Sequence, residues 1–124
     1  MITNDDVINY LDNNSSLSKF SEYIMQINEE HGWNKPRTVG ENIALMHSEL
    51  SEALEEHRTG HDPNEVYYTL EKPGKPEGIP IELADTIIRI LHFCAQENIN
   101  IERAMVNKIA YNASREYRHG NKTI

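Results

Sequence analysis

The segment from Pro80 to Ala95 places Leu83, Ala84, Ile87, Ile88, Ile90, Leu91, Cys94 and Ala95 around most of the circumference of a helix. A helix that is apolar nearly all round is a central one, so the rest of the chain must gather about it. Pro80 opens it at a position where the missing N–H costs nothing. Yet the same helix carries Glu82 and Asp85. A bare carboxylate is too costly to bury, so both have to be paired, hydrogen-bonded or bound to a cation.

The elements around it also read as helices. Val7, Ile8 and Leu11 predict a short helix over Asn4–Leu11, and Leu17, Phe20, Ile24 and Ile27 predict a second over Ser16–His31, stopped by Gly32. Thr38 and Glu41 form a capping-box pattern ahead of Ile43, Met46, Leu50 and Leu54, so a third helix starts there and ends near Arg58. Asn100 reads as the N-cap of a last helix reaching roughly Tyr117. Between Gly60 and Pro80 the glycines (Gly60, Gly74, Gly78) and prolines (Pro63, Pro73, Pro76, Pro80) punctuate a long loop, read as a flap with a short anchored turn at Val66–Tyr68. No segment alternates with period two. The expectation is an all-α, four-helix-type bundle of about five helices forming one domain over residues 1–124.

A net charge of −8 argues against non-specific binding to nucleic acid or to an anionic membrane, but not against a phosphate ligand carried with divalent cations. No apolar run is long enough to cross a bilayer, and the polar start from Thr3 to Asp6 lacks a signal-peptide layout. The single cysteine, Cys94, reads as core and allows no intrachain disulfide, which fits a cytoplasmic protein. Hydrophobic residues make up 38% of the chain, low enough that a partner subunit is expected to cover part of the apolar surface.

The carboxylates recur with a pattern. Glu49 and Glu52 stand three apart on the third helix, as Glu82 and Asp85 do on the fourth. On the third helix the acidic stripe, including Glu56, lies about 100° to 160° round from Leu50, away from the core-facing residues. Four carboxylates meeting between helices repel one another unless cations sit among them, and hard oxygen ligands suit Mg²⁺, with Mn²⁺ as a substitute. The plainer reading is a solvated stripe, with Arg89 and His92 satisfying Asp85 from one and two turns on. His47 reads as a packed histidine rather than a ligand.

The blocks "GENIALMHSELSEALEE", "KPEGIPIELADTIIRIL" and "KIAYNASREYRHGNK" resemble the MazG-like all-α nucleoside triphosphate pyrophosphohydrolases, relatives of the dimeric dUTPases and dCTP pyrophosphatases. The resemblance spans Trp33 to Lys122. It implies Mg²⁺-dependent hydrolysis of an NTP or dNTP to the monophosphate and pyrophosphate. Glu49, Glu52, Glu82 and Asp85 would be metal ligands, with Glu49 or Glu52 as the catalytic residue acting on water. Lys108, Asn112 and Arg115 would contact phosphate, and Trp33 would stack on the base, although a core or interface anchor is an equal reading of Trp33. The resemblance also implies a homodimer or homotetramer. The connection from Glu52 to Glu82 is long for the family, and the extra length falls in the Gly/Pro-rich loop. Two other readings remain: a non-catalytic binding or dimerisation module, and a di-iron carboxylate bundle, for which only Glu116–His119 matches the required Glu-x-x-His.

Overall fold

A computed structural model describes Asp5, Asp6, Asn9, Asn13 and residues 16–114. Among the described residues the chain is all-helical: α1 (Leu17–Glu30), α2 (Val39–Arg58), α3 (Ile79–Gln96) and α4 (Ile101–Ser114), with no strand. Four helices thus replace the expected count of about five, and most of Asn4–Leu11 lies outside the described residues. No described helix is long and apolar enough to cross a membrane.

Local chemistry sets the helix ends. The Ser16 hydroxyl caps α1 by accepting from the Lys19 N–H, and Asn100 caps α4 through the Arg103 N–H. At the start of α2 the full capping box forms: Thr38 Oγ1 accepts from the Glu41 N–H, and Glu41 accepts from the Thr38 N–H at 2.8 Å. Both α1 and α2 end in the same left-handed glycine turn. Gly32 and Gly60 have φ of 68° and 94°, and the N–H groups of Trp33 and His61 reach back to the carbonyls of Asn28 and Glu56. These two turns fix where Trp33 and His61 leave their helices.

The loop before α3 is tied down at its middle. Tyr67 and Glu77 exchange both backbone hydrogen bonds in an isolated antiparallel bridge. The Tyr67 hydroxyl donates to the Glu56 carboxylate at 2.8 Å, and its ring stacks on His61 with centroids 4.2 Å apart. The anchored turn expected at Val66–Tyr68 is therefore real, and Glu56 is occupied by Tyr67. The loop delivers the chain to Gly78, the N-cap of α3, whose φ of 124° suits glycine.

α3 is central, packing against both α1 and α2, while α4 touches chiefly α1. The burial expected of α3 is only partial. Thr86, Leu91 and Cys94 are buried, but Leu83, Ile87 and Ile88 remain 44–52% exposed. The same holds for Ile43, Leu50 and Leu54 of α2 and Met105, Val106 and Ile109 of α4. His47, expected to be packed, is exposed as well. The apolar pattern reports how much surface needs covering, and three helices cannot cover all sides of a fourth.

A Cβ at Gly78 would collide with the Glu65 carbonyl, and any L-residue there is strained at this φ. Gly78→Ala is expected to cost roughly 2 kcal/mol or more of unfolding free energy, read by denaturant titration. Wild-type stability would show that the loop does not constrain the start of α3.

Candidate metal centre

α2 and α3 run antiparallel, and the three-residue spacing on each turns its acids toward the other helix. One ligand oxygen from each of Glu49, Glu82 and Asp85 lies within 4.8 Å of the others, and all three residues are half-buried. Glu52 does not join this triad. It is exposed on α2 yet close enough to act on Glu82 and Asp85. Three of the four expected ligands are thus brought together, with the fourth beside them.

The electrostatics of the triad are unfavourable as it stands. Glu82 Oε2 is buried, and among the described residues no hydrogen-bond donor reaches it. Burial pushes the Glu82 carboxyl up to about 7, reinforced by the neighbouring Glu52 carboxylate and by the charges of Asp85 and Glu49. Asp85 is raised for the same reasons, burial first and then Glu49 and Glu52, and is drawn partly back by Arg89 and Lys75. Arg89 does not serve Asp85 along its own helix, as i, i+4 spacing suggests. Its Nε crosses to Glu49 Oε1 at 2.7 Å.

The donor set fits a small hard divalent cation. Three carboxylates and a buried oxygen without a donor are what Mg²⁺ or Mn²⁺ accepts, with waters and phosphate oxygens completing the shell. No histidine or cysteine belongs to the triad. A di-iron site needs a histidine from each of two helices, and Glu116 and His119 lie outside the described residues.

Beside the triad opens a cavity of about 450 Å³. Glu49, Asp85 and Arg89 form one end, and Ile88 and His92 continue the α3 wall. Asn28 and the connector residues Trp33, Lys35 and Arg37 close the other side. Trp33 is 57% exposed, so it is no core anchor; one face stacks on His31 with centroids 4.5 Å apart. The phosphate residues expected on α4 are not here. Lys108 sits over the Tyr111 ring at 5.1 Å, Asn112 is exposed, and no α4 residue lines the cavity. Arg115 lies outside the described residues.

Sequence reading overlooked Lys35, Arg37, Asn34 and the cavity role of His92. The available signal was the cluster of polar and basic residues in N-K-P-R directly after Trp33, where a helix end turns the chain across the mouth of the site. No protein-family profile, characterised protein or solved structure matches the chain. The MazG-like resemblance therefore rests on the sequence motifs alone.

The raised carboxyl sets a pH dependence. Unfolded, Glu82 releases its proton near 4.5; folded, it keeps it up to about 7. Its contribution to stability is present below 4.5 and is lost as pH rises through about 7. In metal-free buffer the wild-type Tm is expected to fall between about pH 5 and pH 8 more steeply than that of Glu82→Gln, measured by calorimetry. Equal slopes would show that Glu82 is not held in its neutral form.

Proposed function

We propose that this chain is a Mg²⁺-dependent nucleoside triphosphate pyrophosphohydrolase of the MazG-like all-α type, converting an NTP or dNTP to the monophosphate and pyrophosphate. The observation that carries the reading is the convergence of Glu49, Glu82 and Asp85, one oxygen of each within 4.8 Å of the others, with Glu82 keeping a buried Oε2 that has no donor, next to a cavity with three cationic side chains. An acidic stripe serving only solubility has no reason to bury an oxygen without a donor.

Glu49, Glu82 and Asp85 would hold the cation, which supplies Lewis-acid polarisation of the phosphate oxygens. The remaining work belongs to the side chains. Glu52 is outside the triad and not tied to an arginine, so it is the better placed of the two α2 glutamates to orient a water and take its proton. The water oxygen bonds to the α-phosphorus, the bond from that phosphorus to the bridging oxygen breaks, and pyrophosphate leaves. Lys35, Arg37 and Arg89 line the route the phosphates would occupy and neutralise charge there. Trp33 offers its free face to the base.

The same reading includes self-association. The apolar residues left open on α2, α3 and α4 support a homodimer or homotetramer. A partner subunit is also the simplest route for an α4 bearing Lys108 and Asn112 to reach a cavity it does not line within one chain.

Glu82→Gln and Asp85→Asn are each expected to lower pyrophosphate release from a panel of common and modified (d)NTPs with Mg²⁺ by more than about 100-fold, with helical circular dichroism retained. No release from any nucleotide by the wild type would sink the enzyme reading and favour a binding module. Sedimentation at micromolar concentration is expected to show a dimer or larger; a monomer would contradict the self-association.

A further inference from the structure

We propose that His92 is a specificity residue: held by Asn34 as the Nε2–H tautomer, it reads an N–H of the bound nucleobase through its bare Nδ1. This rests on the nucleotide reading above.

Asn34 settles the tautomer. Its Nδ2 lies 3.1 Å from the Met25 carbonyl oxygen and 3.0 Å from Glu29 Oε2. Both are acceptors only, so the amide NH₂ must face them, and its two hydrogens are thereby used. The opposite corner of the amide, Oδ1, is left against His92 Nε2 at 2.6 Å. A carbonyl oxygen at that distance requires the ring nitrogen to carry the proton. Burial, with the Arg37 and Arg89 charges, holds the imidazole below its ordinary value and so in its neutral form. A neutral ring protonated on Nε2 has a lone pair on Nδ1.

The surroundings show what that lone pair meets. Asn34 stands behind the ring with Met25 and Glu29, where all three line a different cavity, of about 930 Å³. His92 lines the cavity that holds Trp33, Glu49 and Asp85 and Asn34 does not, so the ring edge turned away from Asn34, which carries Nδ1, is the one assigned to that cavity. No second hydrogen bond to the His92 ring forms among the described residues. Ile88 and Trp33 give the same cavity apolar surface for a flat ring, whereas its triad end suits phosphate and cation. An acceptor fixed between these parts favours a ring that presents an N–H and rejects one whose lone pair would face it.

The test uses the full chain with Mg²⁺ and two kinds of probe: inorganic tripolyphosphate, and the α,β-methylene triphosphates of uridine, cytidine, adenosine and guanosine. Calorimetry gives each affinity, and long-range ¹H–¹⁵N correlation of histidine-labelled protein gives the tautomer. The expected result is an Nε2–H ring at His92 that becomes a tautomer mixture in Asn34→Ala. His92→Phe is expected to lower the ratio of affinity for the tightest nucleotide to affinity for tripolyphosphate by tenfold or more. An Nδ1–H ring in the wild type, or an unchanged ratio in His92→Phe, would overturn the assignment while leaving the phosphate and metal site standing. Failure of every probe, tripolyphosphate included, would refute the pyrophosphohydrolase reading and this assignment with it.

Discussion

Repulsion among carboxylates held between two packed helices governs much of this structure. Glu49, Glu82 and Asp85 converge from α2 and α3, with Glu52 adding its charge from the rim. Among the described residues one direct ion pair, Arg89 to Glu49, answers them within 4 Å. The remainder is met by protonation: Glu82 stays neutral to about 7 because burial and its neighbours make the ionised form unfavourable. A divalent cation would remove the same penalty while leaving all the acids ionised. The helix pair is therefore built with an electrostatic debt that a ligand can relieve.

The turns on either side of α2 bring the rest of the chain to this pair. The glycine turn after α1 sends Trp33, Lys35 and Arg37 across the cavity mouth, and the matching turn after α2 sets His61 over Tyr67. Tyr67 then binds Glu56, at the far end of the α2 acidic stripe, so Glu56 is kept out of the triad. The long loop is thereby divided at the Tyr67–Glu77 bridge, and its second half leads straight to the glycine that starts α3. Because Glu82 lies in the first turn of α3, the geometry of Gly78 and the position of the ligand oxygen are linked.

Packing within one chain is incomplete in a patterned way. The buried apolar side chains, Tyr23, Leu91, Cys94 and Ala53, lie where α3 meets α1 and α2. The open ones form stripes on the outward sides of α2, α3 and α4. Exposed apolar surface of this kind is costly unless something covers it.

The sequence by itself determined the helices and their limits, because caps, glycines and prolines act over three or four residues: Thr38 with Glu41, Gly32, Gly60 and Pro80 all mark ends where they were expected. It also determined that each acidic pair would share a face of its own helix, since a three-residue spacing does so in any helix. Tertiary structure alone decided which acids meet. Glu52 and Glu49 have equal claims on spacing, and only the relative rotation of α2 against α3 leaves one at the rim and places the other against Arg89. The pairing of Asn34 with His92 was likewise invisible in one dimension. Asn34 and His92 are 58 residues apart, and their contact depends on a turn that carries the chain back over a helix not yet made. Periodicity records the face a residue occupies; which face it meets is set by packing across the whole chain.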